Sequence, residues 1–153
     1  MDNQKNNLRW EWKTLAEMTG IETEKMFSLR QDIFVIEQDC LYADIDGKDS
    51  KAHHLLVWDK NNLVATLRVF ESYQEYDNRA SIGRVCVATS ARKYGIGNEL
   101  VQNAIDFIQE HFVNKEIQIG AQLYLKFFYL KLGFRQVSDV YDEDGIDHIL
   151  MRL

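Results

Sequence analysis

The sequence predicts an α/β (α+β) fold, in which helices cover both faces of a mixed sheet. Apolar patterns of period two and period 3.6 follow one another along the chain in the order β-α-β-β-β-α-β-α-β-β. Hydrophobic residues make up 46% of the chain and charged residues 27%, which is the balance of a globular protein. No internal repeat, linker or low-complexity stretch interrupts this order, so we expect residues 1–153 to form one domain.

The chain opens with a strand, a helix and a polar loop. Residues 8–13 alternate apolar and charged side chains, which is typical of a half-buried strand. Apolar residues recur at helical spacing over residues 22–36, which predicts a helix. Residues 40–52 are polar and turn-rich, and we expect a solvated surface loop there. The acidic run 44–49 resembles part of a calcium-binding loop but is too short and lacks the closing glutamate, so we expect no metal site.

The middle of the chain predicts three strands and a long helix. Residues 54–58 and 63–70 are rich in strand-forming side chains and read as a hairpin. Residues 80–87 form another strand, and Gly83 inside it predicts a bulge or a close approach to the backbone. An apolar stripe from Ile96 to Phe112 predicts the long helix.

The last part of the chain predicts a short strand, a helix and a closing hairpin. The strand covers residues 116–119, and the helix covers 125–132 and ends at Gly133, a natural C-terminal cap. Residues 134–141 and 148–153 then form the two strands of the hairpin.

Charge, cysteine content and hydropathy argue against several classes of protein. A net charge of −6 argues against a general nucleic-acid binder, so any anion site must be local. Cys40 and Cys86 lie in no metal-binding or disulfide pattern, and we expect reduced, buried thiols. No stretch approaches the roughly 20 apolar residues of a membrane span, and the polar residues 1–7 lack the apolar core of a signal peptide. We therefore expect a cytoplasmic protein with no membrane partner.

The segment from Arg92 to Gly97 is the sharpest candidate for a binding site. Two glycines at a helix start let backbone N–H groups point outward, and Arg92 and Lys93 add positive charge beside them. A diphosphate is the natural ligand. A dinucleotide fingerprint fits less well because Leu100 replaces its third glycine, and a P-loop lacks its Gly-Lys-Ser/Thr. A glycine-rich helix start without any ligand remains open.

The helix before Gly133 is the second candidate. Tyr129 lies on its apolar face, a position that is more typical of a core aromatic residue than of a catalytic phenol.

The order of elements, the RxxGxG turn at Arg92 and the YxxxGF helix ending at Phe134 resemble the GNAT superfamily of acyl-CoA-dependent N-acyltransferases. The resemblance covers nearly the whole chain and is closest to the ElaA-type branch. It rests on the blocks 34–38, 44–47, 82–85, 120–122 and 141–148. It implies a mostly antiparallel central sheet of about six or seven strands flanked by about four helices.

The resemblance also implies that acetyl-CoA is the co-substrate. The backbone of Val85, Cys86 and Val87 would bind the pantetheine arm. The diphosphate would be held by Arg92, Lys93, Tyr94, Gly95, Ile96, Gly97 and Asn98. Gln122 stands where the family often has an asparagine that touches the cofactor, and Lys93 stands where many relatives have glycine.

For catalysis, Tyr129 matches the family tyrosine that protonates the leaving thiolate, and an N–H near Val87 would face the oxyanion. Many relatives carry a glutamate on the strand that here contains Arg84, so the general base must come from elsewhere. The candidates are Glu37, His54 and His148, each of which also has a plain structural interpretation.

We further expect Arg84, Gln38 and His54 to contact the acceptor. Arg84 would either clamp an anionic group of the acceptor or pair with a core carboxylate. The acidic segment 142–147 would either attract a cationic acceptor or remain a solvated turn.

The function implied is transfer of an acetyl group to a primary amine of a small molecule or peptide, by direct attack within a ternary complex. The alternatives are a longer acyl-CoA, since the branch resembles acyl-homoserine-lactone synthases in fold, and a non-catalytic acyl-CoA sensor. A homodimer is the default oligomer.

Overall fold

Eight strands and three α-helices make up residues 5–153, the part of the chain that the computed structural model describes. The strands are β1 (Arg9–Thr14), β2 (His53–Asp59), β3 (Asn62–Tyr73), β4 (Arg79–Val87), β5 (Gln118–Gln122), β6 (Arg135–Gln136), β7 (Tyr141–Glu143) and β8 (Ile146–Arg152). The helices are α1 (Gly20–Arg30), α2 (Gly97–His111) and α3 (Lys126–Lys131). A π-helical segment, Gln31–Glu37, extends α1. Residues 1–4, part of the polar start that argues against a signal peptide, lie outside this description.

The strands form two four-stranded sheets flanked by helices, which confirms the predicted α/β (α+β) fold class. The first has the order β1-β2-β3-β4, and in the second β8 pairs with β5, β6 and β7. Every pairing within these sheets is antiparallel, which confirms the mostly antiparallel prediction. Within residues 5–153 the ladder between β4 and β5 consists of one parallel bridge, Ala80 to Ile117. The two strands therefore separate beyond that point.

A bulge in β4 explains the separation. Thr66 of β3 pairs with Cys86, but Arg68 pairs with Gly83, so β4 carries one extra residue. Arg84 adopts a φ of +52°, in the left-handed region. An extra residue bends a strand and increases its local twist, so β4 turns away from β5. The sequence predicted a bulge at Gly83, and the structure puts the left-handed residue one position later.

Hydrophobic clusters cover both faces of the first sheet, as predicted. On β2, Leu55 and Val57 face the cluster beneath α2, whereas Leu56 and Trp58 face the cluster beneath α1. The stripe predicted on α2 is buried throughout: Leu100, Val101, Ala104, Ile105 and Ile108. β2 reads as a continuous apolar run because both of its faces are covered.

The helix boundaries follow local capping chemistry. Thr19 caps α1 by accepting a hydrogen bond from the backbone N–H of Glu22, whose carboxylate accepts from Thr19 N–H in return. The helix thus begins two residues before the predicted start. Gly133 follows α3 with a φ of +97°, which confirms the predicted cap.

The loop at residues 40–52 contradicts its prediction as a solvated turn. Asp44 is 7% exposed and Asp49 is 3% exposed. Asp44 binds Arg30 Nε at 2.9 Å, and Asp49 binds Arg30 Nη1 at 2.6 Å. Buried carboxylates need cationic partners, and here the arginines come from α1, β3 and β4, which local sequence does not reveal.

The closing hairpin differs from its prediction in one respect. The strand predicted at 134–141 is interrupted, so that β6 and β7 pair with β8 on either side of a gap. In the gap the Ser138 hydroxyl accepts a hydrogen bond from Leu150 N–H at 2.8 Å. A side chain there replaces the carbonyl that a regular strand would offer. Within residues 5–153, no helix combines the length and the apolar character needed to cross a membrane.

Candidate active site

The separation of β4 from β5 opens a cleft of about 790 Å³. Residues 81–87 of β4 form one wall and residues 119–122 of β5 form the other. The π-helical segment after α1, the start of α2, Tyr129 of α3 and the tip of the β7–β8 hairpin complete the lining. The fold thus brings residues from most of the chain to one concave surface, which is the usual setting for a ligand site.

One end of the cleft is suited to an anion. Gly95 has a φ of +63°, and Arg92, Gly95, Ile96 and Gly97 line the cleft. Within residues 5–153, no side chain caps the start of α2, so its first backbone N–H groups have no intrahelical or capping partner there. Free N–H groups, the helix dipole and a nearby arginine together favour a phosphate.

The remaining residues of this motif lie outside the lining. Lys93, Tyr94 and Asn98 do not contribute to the walls of the cleft, so any contact they make to a ligand would come from beyond its mouth.

Arg92 is held in place at the anion end. Its Nη2 lies 2.7 Å from Glu37 Oε1, and its Nε donates to the carbonyl of Val87 at 3.2 Å. Glu37, a candidate base, is therefore an ion-pair partner at the phosphate end of the cleft.

The predicted pantetheine segment, residues 85–87, lines the middle of the cleft. Cys86 turns its side chain into the core, and burial raises the pKa of its thiol to about 12, so it is not a nucleophile. Cys40 is likewise a buried free thiol, which confirms the prediction for both cysteines. Across the cleft, Gln122 Nε2 donates to Gln38 Oε1 at 3.2 Å. Two amides that the sequence assigned to different ligands thus meet at one place.

The position of Tyr129 fits both a core aromatic residue and a catalytic phenol. Its ring packs edge-on against Phe128 and Phe134, and its side chain also lines the cleft. Burial raises the pKa of its phenol to about 12. The phenol therefore keeps its proton at neutral pH and is available as a donor.

His148 lines the opposite part of the cleft and is nearly buried. Its Nδ1 lies 2.7 Å from the carbonyl oxygen of Ile146, and its Nε2 lies 3.1 Å from Glu143 Oε2. A carbonyl only accepts hydrogen bonds, so Nδ1 carries a proton. Nε2 is then the nitrogen that faces the Glu143 carboxylate.

Arg84 lines the cleft but is occupied by carboxylates. Its Nε lies 2.7 Å from Asp44 Oδ1 without hydrogen-bond alignment, and its Nη2 donates to the Asp44 carbonyl at 3.1 Å. Nη2 also lies 3.5 Å from Asp46 Oδ2. Although burial opposes ionisation of Asp46, hydrogen bonds from Arg68 and the charges of Arg68 and Arg84 lower the pKa of its carboxyl. The geometry supports the interpretation of Arg84 as a partner of core carboxylates.

His54 lies outside the cleft, so the structure does not support the predicted acceptor contact or a role as base. The side chain is 1% exposed, and Nε2 lies 3.0 Å from the Asp49 carbonyl oxygen. Burial lowers the pKa of the imidazole. His54 lies on a strand with two covered faces, so its side chain packs into the interior.

Several aromatic residues near β5 were not predicted. The rings of Tyr73 and Tyr76 lie 5.0 Å apart and line the cleft. A Cβ built on Gly120 would lie 2.8 Å from Tyr76 Oη and 3.0 Å from Tyr141 Oη. Gly120 could have predicted these neighbours, since a glycine inside a strand often marks a place where another group approaches the backbone closely.

Comparison with known proteins agrees with this geometry. The family described as acetyltransferase (GNAT) domain matches residues 23–153. ElaA of Escherichia coli is 37% identical over 145 residues, covering 92% of this chain and 94% of ElaA. The ElaA crystal structure superposes with a TM-score of 0.87 at 33% identity, covering 95% of this chain and 98% of that one.

Two further structures share the fold. An acyl-CoA N-acyltransferase of Pseudomonas aeruginosa has a TM-score of 0.88 and 35% identity over 95% of this chain and 98% of its own. The acyl-homoserine-lactone synthase LasI, at 10% identity and a TM-score of 0.78 over 95% of this chain and 88% of its own, shares the fold alone. The chain therefore belongs to the GNAT acetyltransferase family, in its ElaA-like branch, and is an acetyltransferase.

Proposed function

We propose that the protein transfers the acetyl group of acetyl-CoA to a primary amine by direct attack within a ternary complex. The observation that carries the proposal is the cleft between β4 and β5, which joins an anion-binding helix start, a buried tyrosine and a histidine–carboxylate pair. The donor would enter from the phosphate end and the acceptor from the side of His148.

The residues at the phosphate end fit acetyl-CoA. The free N–H groups at the start of α2 and the Arg92 guanidinium would hold the diphosphate. The backbone of residues 85–87 would run beside the pantetheine arm, and Gln122 would contact it. Because Glu37 already binds Arg92, the diphosphate would compete with that carboxylate for the same guanidinium.

Each group would have one role in the reaction. The lone pair of the neutral amine forms the N–C bond at the thioester carbon, and the C–S bond breaks when the carbonyl is restored. A backbone N–H near Val87 would stabilise the transient oxyanion. The ammonium loses one proton to the base before attack, and the nitrogen loses a second as the amide forms. The sulfur takes a proton from Tyr129, and the second nitrogen proton restores the phenol, so an ammonium and acetyl-CoA yield an acetamide, CoA thiol and one released proton.

His148 is the base that we favour. Its side chain lines the cleft, and its Nε2 lies 3.1 Å from Glu143 Oε2. Glu37 remains the second candidate, although its ion pair with Arg92 supports a role in donor binding. Gln38 lines the cleft and is proposed as an acceptor-side contact, whereas Arg84 is held by Asp44 and Asp46.

Two other proposals concern the whole chain. We propose that residues 1–153 act as one domain and that the protein works in the cytoplasm, on a small-molecule or peptide amine, without nucleic acid or membrane. A homodimer is compatible with this function and is not needed for it, since residues of one chain line the whole cleft.

Titration calorimetry with acetyl-CoA, followed by thiol release against pooled amines, tests the proposal. We expect micromolar binding and release of CoA thiol. Binding without release of thiol against a broad amine set would instead favour a non-catalytic acyl-CoA sensor. Thiol release that occurs only with a longer acyl-CoA would favour a transferase for longer acyl groups. No binding would refute the phosphate site at Arg92.

A further inference from the structure

The acceptor end of the cleft carries a row of aromatic side chains. The Phe70 and Tyr73 rings lie 5.0 Å apart, and Tyr73 and Tyr76 lie 5.0 Å apart. Beside β5, the Tyr141 ring lies 5.9 Å from the ring of His148, which lines the cleft. Tyrosine faces are electron-rich and attract cations.

Two phenol oxygens meet at β5 without a hydrogen-bond partner. Tyr76 Oη and Tyr141 Oη both lie within 3.0 Å of the position that a Cβ on Gly120 would occupy. The Tyr73 hydroxyl accepts a hydrogen bond from Lys48 Nζ at 2.9 Å, whereas neither the Tyr76 nor the Tyr141 hydroxyl has a partner anywhere in residues 5–153. Burial raises the pKa of both phenols, so they stay neutral and can accept hydrogen bonds.

The charges around the cleft favour a positive ligand. The cations that line it are Lys48, Arg68, Arg84 and Arg92, and each is already paired with a carboxylate. Glu143 and Asp144 also line it, and within the described chain neither pairs with a lysine or arginine. An anionic group on the acceptor would have to displace a carboxylate from an arginine. A cation would displace nothing.

We propose that the acceptor is a cationic amine that carries no carboxylate, bound at the Tyr76 and Tyr141 hydroxyls over Gly120 and facing Glu143. An alkylammonium has three donors and no acceptor, and two phenol oxygens and one carboxylate offer it three acceptors. The proton leaves the ammonium toward the Glu143–His148 pair, and the neutral amine then attacks. This inference rests on the proposed function and adds the substrate class.

A matched pair of probes tests the inference by binding, which does not depend on turnover. 1,5-Diaminopentane and lysine differ by one carboxylate, and each is titrated calorimetrically into the protein saturated with CoA. We expect diaminopentane to bind at least about tenfold more tightly than lysine. Tyr76→Phe and Glu143→Gln should each weaken diaminopentane binding by about tenfold or more, the size of one hydrogen bond to a charged group. Acetyl-CoA affinity should not change in these variants. Glu110→Gln, an exposed change on α2, is the control.

The outcomes separate this inference from the proposed function. Three results would overturn the inference, even if other amines release thiol. Lysine binds as tightly as diaminopentane or more tightly, diaminopentane does not bind, or both variants bind diaminopentane with the affinity of the wild type. Selective binding of diaminopentane that depends on Tyr76 and Glu143, with no thiol released from acetyl-CoA by any amine, would support the site and refute the transferase reaction.

Discussion

Replacing Glu37 by glutamine separates a donor-binding role from a catalytic one. The carboxylate lies 2.7 Å from Arg92, and the two side chains are 41% and 45% exposed. An exposed ion pair of this kind contributes at most about 1 kcal/mol, so a diphosphate that must compete with Glu37 loses at most that amount. Removing the charge should tighten acetyl-CoA binding by up to about fivefold.

The assay is calorimetric titration of acetyl-CoA into the wild type, Glu37→Gln and the control Glu110→Gln. The gain should shrink at high salt, because exposed charges are screened, and kcat should stay within about twofold. Weaker binding in Glu37→Gln would refute the competition argument. A fall in kcat of a hundredfold or more, the size expected for loss of a general base, would identify Glu37 as that base.

Three further predictions concern catalysis and folding. Tyr129→Phe should lower kcat by about a hundredfold while leaving the Kd for acetyl-CoA unchanged; unchanged kcat, measured by thiol release, would remove Tyr129 from the mechanism. Asp49→Asn leaves Arg30 and Arg68 with an incomplete set of buried partners, so urea unfolding should show a loss of about 3 kcal/mol, whereas Asp77→Asn, at a side chain 85% exposed, should change little. The pKa of Asp49 is lower in the folded state than in the unfolded state. Its contribution to the free energy of unfolding is therefore present above the unfolded pKa near 4 and is lost as pH falls through the folded pKa. The free energy of unfolding should decline below about pH 4, and less steeply in Asp49→Asn than in the wild type.

The bulge residue makes a prediction about backbone conformation. Arg84→Gly and Arg84→Ala remove the same ion pairs, but only glycine adopts a φ of +52° without strain. Urea unfolding should therefore find Arg84→Gly about 1 kcal/mol more stable than Arg84→Ala. Equal stabilities would mean that the bulge relaxes when the arginine is removed.

Patterns within one element predicted the fold well. The stripe on α2, the glycine after α3 and the RxxGxG turn each report a local requirement, which is burial of one face, a left-handed cap or free N–H groups. Those requirements hold whatever the rest of the chain does. Tyr129 was ambiguous for the same reason, because the pattern shows that its ring is buried but not that its side chain also reaches a cleft.

The features that sequence reasoning missed depend on pairing between distant segments. The Asp44–Asp49 run looks like a solvated turn until arginines from three other elements are placed beside it. Gly83 predicted the bulge in β4, but the separation of β4 from β5 depends on how β4 pairs with its two neighbours, which no periodicity marks. The two phenols over Gly120 come from the β3–β4 connection and from β7, so neither one predicts the other.

The buried arginines and aspartates also imply an order of assembly. Asp44, Asp46 and Asp49 are synthesised before Arg68 and Arg84, and until those arginines emerge only Arg30 is present to neutralise them. Two buried carboxylates and a partly buried third, Asp46, cannot be enclosed beside one cation without a large desolvation cost. We therefore expect the 40–52 loop to stay hydrated on the nascent chain and to close only after β4 has docked, so that the acceptor side of the cleft is completed late in folding.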